Sequence, residues 1–222
     1  MMLQDMHLHT NFSDGANTLQ EMAEAAVDCG LHEICFTDHV RKESDWWPEY
    51  FTECQRVAQS FLPNLNISCG VEAKVCDFSG TLDLPLSIDR KILQVAAIHR
   101  LPIGNRQFLR KDLLRQNGSF AVTCWMNTLS GLNKNPSISR IAHPFSLLPY
   151  MDITLDESFW NQVVHIFDKG SYLIEYNTKY DNSFIPLSFW KHFSPRIIFG
   201  SDSHSVEDLQ KSCHTTIPYG LT

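Results

Sequence analysis

Six of the ten histidines in this 222-residue chain lie just beyond short apolar runs, several paired with an aspartate or a second histidine. They occur in Met6-His7-Leu8-His9-Thr10, Phe36-Thr37-Asp38-His39, Ala97-Ile98-His99, Ile141-Ala142-His143-Pro144 and Gly200-Ser201-Asp202-Ser203-His204, with an acidic counterpart in Gly70-Val71-Glu72. Imidazole and carboxylate set repeatedly at the ends of buried strands is how a fold gathers ligands for transition-metal ions around one pocket. On an extended strand the side chains alternate, so His7 and His9 face the same way and can share a cation. Asp202 and His204 have the same spacing. Glu72 has two oxygens and can bridge two ions at roughly 3.5–4 Å separation, which activates water and phosphoryl oxygen together. The chemistry this predicts is that of a metal enzyme with a polynuclear site.

The elements that must carry these residues are legible as alternating runs. Short apolar segments at Leu3–Leu8, Glu33–Phe36, Ile67–Val71, Leu93–Ile98, Arg140–Ala142, Ser171–Tyr176 and Arg196–Phe199 suit strands buried on both faces of a parallel sheet. Thr18-Leu19-Gln20-Glu21 has the form of a capping box, followed by apolar residues at helical spacing until Gly30. Pro48 suits the first turn of a helix through Phe61. Further helices are expected over Arg106–Gln116, Ser119–Leu132, Leu155–Asp168, Ile185–Phe193 and Val206–Cys213. The pattern predicts an α/β fold, a distorted seven-stranded (β/α)7 barrel of TIM-barrel type, with function at the carboxyl ends of the strands. Each of the seven strands ends at or beside a candidate ligand. His32, His165, His192 and His214 fall elsewhere and read as structural or solvated.

With no linker, repeat or low-complexity tract, residues 1–222 read as one domain. The formal charge of −7 argues against a nucleic-acid or anionic-membrane partner, which would require clustered Lys and Arg. Seven scattered cysteines form no C-x-x-C pair, and neither a disulfide framework nor a thiolate metal site is expected, Cys69 and Cys76 beside Glu72 included. No apolar stretch approaches the ~20 residues of a membrane span, and Met1 to Asp5 show no signal segment, so a soluble cytoplasmic protein is expected. Trp46 and Trp47 read as packing residues ahead of a pocket wall.

Taken in order, His7-Leu8-His9-Thr10 with Ser13-Asp14-Gly15, Thr37-Asp38-His39, Gly70-Val71-Glu72, His99, Ala142-His143-Pro144 and Gly200-Ser201-Asp202-Ser203-His204 resemble the PHP (polymerase and histidinol phosphatase) domains of metal-dependent phosphoesterases. The resemblance implies up to three ions, usually zinc, iron or manganese. His7, His9, Glu72 and Asp202 would hold one, Glu72, His99 and His143 a second, and Asp14, His39 and His204 a third. Ser13-Asp14-Gly15 is equally ordinary turn chemistry. A water bridging two cations would be the nucleophile, with Glu72, Asp202 and Arg100 carrying the catalytic work. Arg100 is favoured as the phosphate contact because it follows His99. Arg41 is the runner-up among cations beside strand ends, which also include Lys42, Lys74, Arg106, Arg140 and Lys179. Asp38, Glu175 and Asn177 are expected to orient imidazoles. The implied reaction is hydrolysis of a small-molecule phosphate monoester, with histidinol phosphate one candidate. Phosphodiester or nuclease cleavage and a non-catalytic metal-binding role are the alternatives.

Overall fold

The computed structural model describes residues 3–104 and 106–215; Met1 and Met2, part of the segment read above for a signal, lie outside them. Seven parallel strands form one sheet: β1 (Gln4–Leu8), β2 (Glu33–Val40), β3 (Asn66–Lys74), β4 (Leu93–Ala97), then, beyond a small two-stranded sheet, β7 (Ile138–Ala142), β8 (Leu173–Asn177) and β9 (Ile197–Gly200), in that spatial order. The sheet curls into a nearly closed barrel. Its outward residues, among them Ile34, Phe36, Val71, Ala73, Ala96, Ile141 and Ile174, join the core beneath the helices, while Met6, Cys35 and Ile198 form a separate cluster. Alternation along each strand therefore fixes which residues enter the barrel.

Helices α1 (Leu19–Asp28), α2 (Trp47–Phe61), α3 (Gly118–Leu132), α4 (Glu157–Phe167), α5 (Leu187–His192) and α6 (Val206–Ser212) cover the outside. The predicted capping box is present: Glu21 N donates to Thr18 Oγ1 at 3.2 Å, and Thr18 N donates to Glu21 Oε2 at 2.8 Å. Gly30 ends that turn at φ 73°, a conformation costly for any residue with a Cβ. Trp46 and Trp47 are half-buried against the core, Trp46 edge-on to Tyr50 at 5.5 Å, in keeping with packing.

Three expectations fail. The helix expected over Arg106–Gln116 is absent: β5 (Leu101–Gly104) and β6 (Gln107–Leu109) form an antiparallel hairpin there, followed by two single-turn 3₁₀ helices at Lys111–Leu113 and Arg115–Asn117. Phe108, Leu109, Leu113 and Leu114 also fit a helical spacing, but of these only Leu114 is buried, and pairing with Leu101–Gly104 wins over local propensity. The alternation of strand and helix also breaks between β3 and β4, where residues 75–92 contain no helix. Arg140, expected beside a strand end, instead lies inside the barrel, buried, with Nη1 donating to Met6 O at 3.3 Å.

The barrel closes where β9 meets β1, the two sheet edges. Among the described residues a short backbone bridge joins them: Leu8 pairs with Ser203, and His9 N donates to Ser203 O at 2.9 Å. Lower in the seam the Asp5 carboxylate substitutes for a ladder partner, its Oδ1 accepting from Ser201 N at 3.0 Å and from His7 N at 3.2 Å. Burial pushes this carboxyl up to about 7 against the opposing pull of those bonds. Asp5→Ala orphans two buried N–H groups and is expected to lower unfolding free energy by about 2–4 kcal/mol, whereas Asp5→Asn, which keeps the accepting oxygen, loses less than half as much. Denaturant melts in excess chelator, which removes any bound cation from the comparison, check this.

Candidate metal centre

At the carboxyl end of the barrel six imidazoles surround one carboxylate. Ring centroids run His7 to His9 4.9 Å, His9 to His39 4.3 Å, His39 to His99 5.2 Å, His99 to His143 5.4 Å and His143 back to His7 5.5 Å, a closed circuit, with His204 stacked on His9 at 4.2 Å. Glu72, contributed by β3, is almost wholly buried inside it. Its Oε1 lies 3.0 Å from His143 Nε2, 3.2 Å from His99 Nε2 and 3.6 Å from His7 Nε2. Its Oε2 lies 2.7 Å from His39 Nδ1 and 3.8 Å from His9 Nε2.

Asp202 closes the floor, Oδ1 standing 3.2 Å from His9 Nε2 and 3.7 Å from His7 Nε2. Asp14 stands above, half-exposed, 3.4 Å from His204 Nε2 and 3.6 Å from His39 Nε2. Four groups of side chains bring their ligating atoms within 4.8 Å of one another: His7, His9 and Asp202; His7, Glu72 and His143; His39, Glu72 and His99; and His9, Asp14, His39 and His204. All nine ligand candidates thus meet in one place. The grouping differs in detail from the family pattern, since His9 joins the Asp14 group and His39 joins His99.

Local backbone geometry aims these groups. His143 and Asp202 adopt left-handed φ values of 30° and 54°. Such values cost of order 1–3 kcal/mol each, strain that the surrounding structure must hold in place. Trp125 Nε1 donates to Pro144 O at 3.0 Å and pins the turn that carries His143. A Cβ on Gly200 would lie 2.6 Å from Glu175 Oε1 and 2.7 Å from His7 Cβ, and one on Gly15 would lie 2.6 Å from His9 O. Both glycines are therefore required for close approach to the site.

The supporting residues divide by strand parity. Glu175 and Asn177 face inward on β8: Glu175 Oε2 is 2.8 Å from His7 Nδ1, and Asn177 Nδ2 donates to Glu175 Oε1. With its Nδ1 proton given to Glu175, His7 presents the Nε2 lone pair to the cluster. His204 Nδ1 likewise meets Asp202 O at 2.9 Å, freeing its Nε2 toward Asp14. Asp38 touches no imidazole. It alternates to the face opposite His39 and accepts from Thr10 N at 2.8 Å, Thr10 Oγ1 at 2.8 Å and Ser13 Oγ at 2.7 Å, fixing the loop that carries Asp14.

The electrostatics match a cation-binding cage. Burial would raise the Glu72 carboxyl, but the charges of His99 and His7 and hydrogen bonds from His143 and His39 hold it well below the usual range. Burial lowers His9 to about 3, leaving it neutral, while the Glu175 and Glu72 carboxylates lift His7 well above its ordinary value despite burial. Among the described residues, His9 Nδ1 is buried without a hydrogen-bond partner, and Glu72 Oε2 has none beyond its 2.7 Å approach to His39 Nδ1. His7 Nε2 and His9 Nε2 stand 2.9 Å apart. Lone-pair atoms converging at these separations cost about 1–3 kcal/mol each when left unpaired. They resemble the roughly 3.4 Å edges of a tetrahedron around an ion with ~2.1 Å bonds. The residues present fit a metal.

The cations sort less simply. Arg100 is exposed beside His99 and makes no ion pair among the described residues. Arg41, Lys42 and Arg106 are exposed, and Lys74 pairs with Asp83 at 3.3 Å. Lys179 approaches the site most closely, with Nζ 2.8 Å from Asp202 Oδ2. Tyr180, not singled out from the sequence, has its hydroxyl 3.4 Å from Asp202 Oδ2 and its ring 5.4 Å from that of His143. Its only sequence signal is adjacency to Lys179 just past the Glu175-x-Asn177 strand end. His32, His165, His192 and His214 are exposed and outside the cluster, His192 pairing with Asp168 at 2.9 Å. No cysteine joins a metal group, and no helix of the described residues is long and apolar enough to cross a membrane.

Comparison with known proteins agrees with this fold. Over 217 residues the chain is 28% identical to a protein of Caldicellulosiruptor saccharolyticus named probable phosphatase, covering 96% of this chain and 84% of that one. An 82-residue stretch is 40% identical to a protein of Deinococcus radiodurans named probable histidinol-phosphatase, 32% of each chain. The fold superposes on the crystal structure of histidinol phosphate phosphatase from Lactococcus lactis subsp. lactis, complexed with zinc, L-histidinol and phosphate. That match has a TM-score of 0.68 and 18% identity, covering 95% of this chain and 92% of that one. The PHP domain profile matches residues 5–182, which take in the strands from β1 to β8 and eight of the ten residues weighed for catalysis or metal binding, and the chain belongs to the PHP domain family.

Proposed function

We propose that this chain hydrolyses phosphate monoesters of small molecules at a cluster of two or three divalent transition-metal ions, zinc, iron or manganese. The observation that carries the reading is the circuit of imidazoles around Glu72, with two further carboxylates completing it. His7, His9, Asp14, His39, Glu72, His99, His143, Asp202 and His204 would hold the metal. Bound divalent cations would make water nucleophilic near neutral pH and offset the charge of the phosphoryl oxygens.

Everything else falls to the protein. Glu72 sets the spacing of the cluster, since one carboxylate serves imidazoles on both of its oxygens. Glu175 holds His7 in one tautomer, and Asp202 ties His9 to Lys179. Arg100, beside His99, and Lys179, beside Asp202, would grip phosphate oxygens, Lys179 by exchanging Asp202 for substrate. Water attack at phosphorus then breaks the bond to the ester oxygen and releases inorganic phosphate and an alcohol. The cavities that open beside the site, about 210 Å³ next to His143 and about 430 Å³ next to His99, suit small substrates rather than polymers. Names and complexes of relatives make histidinol phosphate one substrate to test.

Four outcomes follow. Turnover of phosphomonoesters, and not of diesters or carboxyl esters, should vanish on chelation and return with zinc, iron or manganese. A fully metallated sample with no monoester turnover would contradict the reading. His9→Ala and Glu72→Ala should lose more than about a hundredfold in kcat/KM with the circular-dichroism spectrum retained. Glu175→Gln should lose about 10–100-fold in metal affinity, recovering activity at higher metal concentration. Arg100→Ala and Lys179→Ala should each raise KM by about tenfold, the loss of one charge-assisted contact. An unchanged KM would remove that residue from phosphate binding.

A further inference from the structure

The chain carries a net charge of −7, yet the segment that forms the β5–β6 hairpin and its two 3₁₀ turns is basic. Arg100, Arg106, Arg110, Lys111 and Arg115 stand there against the single acid Asp112. This segment is also where the expected helix gave way to a hairpin, and all five basic residues are exposed. The hairpin walls a groove of about 430 Å³ that begins at His99 and Arg100 and runs past Phe108 to Arg110 and Lys111, with Leu147 opposite. His99 lies 3.2 Å from Glu72, so the groove opens directly onto the metal centre.

The charges in the groove are held in place. Arg110 grips Asp112 through Nε at 3.0 Å and Nη2 at 2.8 Å, and Lys111 Nζ sits 3.8 Å above the Tyr150 ring. Asp112 offsets one positive charge, and Arg100 and the remaining cation leave the groove net positive. The cavity on the other flank, beside His143, differs. Its one lining cation, Lys179, stands against two lining carboxylates, Glu175 and Asp181, so that wall is net negative where the groove is net positive. An anionic group attached to the substrate is therefore drawn to the His99 side.

We infer that the substrate's leaving group carries a second anionic group, a carboxylate or a further phosphate, which the Arg110–Lys111 end of the groove recognises while the scissile phosphate lies at the metal centre. This rests on the phosphoesterase reading for the position of the scissile group, and it weighs against histidinol phosphate, whose leaving alcohol carries an amine and no anionic group. The groove, about 430 Å³ and lined by Leu114 and Leu147 beside its charged residues, suits a small dianionic molecule.

The test separates the two readings by measuring binding apart from turnover. Zinc-loaded protein is titrated calorimetrically with phosphonobutyrate and with butylphosphonate, non-hydrolysable ligands that differ by a carboxylate in place of a methyl group. Phosphonobutyrate should bind about tenfold more tightly, the effect of one charge-assisted contact. In the Arg110→Ser/Lys111→Ser variant the two affinities should come within about twofold. Equal affinities in the unaltered protein, or a preference that survives the double substitution, would overturn the inference whether or not any ester is hydrolysed. Tighter binding of a short single-stranded RNA than of phosphonobutyrate would also overturn it. Turnover of the corresponding phosphate esters, assayed in parallel, bears only on the phosphoesterase reading.

Discussion

The structure turns on one buried carboxylate. Glu72 sits inside the barrel with imidazoles within 2.7–3.8 Å of its two oxygens, from His7, His9, His39, His99 and His143. A charged carboxylate in so dry a place is tolerated only when paired. The barrel supplies that pairing by bringing β1, β2, β4 and β7 to the rim where β3 carries Glu72, each with a histidine at or just past its end that meets the carboxylate. Ligating capacity is nonetheless left over, since the Nε2 atoms of His7 and His9 face each other at 2.9 Å and stand 3.6 Å and 3.8 Å from Glu72 oxygens, and bound cations would satisfy it. On this account fold stability and metal binding are linked, because the cluster is electrostatically incomplete alone.

The scaffold's departures from regularity gather around that cluster. The left-handed residues His143 and Asp202, the close-approach glycines Gly15 and Gly200, and the carboxylate that stands in for a ladder partner at the barrel seam all lie within two residues of a ligand or at one. An idealised barrel would avoid each of them. Here the left-handed residues re-aim their own side chains, the glycines let neighbouring groups approach, and Asp5 fills the seam, while packing such as the Trp125 bond to Pro144 keeps the distorted turn in place.

Most of this was legible in the residues, for reasons that also explain what was not. Parallel strands buried on both faces read as apolar runs, which located all seven. The runs stop early wherever ligands begin, so β2 and β3 extend through Thr37-Asp38-His39 and Glu72-Ala73-Lys74 beyond their predicted ends. Strand parity separates Glu175, which orients His7, from Asp38, which faces the other way and braces a loop; residue type alone does not. The hairpin at 101–109 was hidden because Phe108, Leu109, Leu113 and Leu114 fit a helical period as well as a strand, and only the neighbouring Leu101–Gly104 decides between them. Cation placement was the least legible feature. A long flexible side chain reports its position only through its partner, as Lys179 does through Asp202.

The central claim is that these side chains converge on ions, and anomalous diffraction from crystals grown with zinc tests it most directly. The account predicts two or three anomalous peaks within about 2.5 Å of the Glu72, Asp202 and Asp14 carboxylates and the six imidazoles. Crystals saturated with zinc that show no peak inside the circuit, with Glu72 bonded to protonated histidines alone, would contradict it.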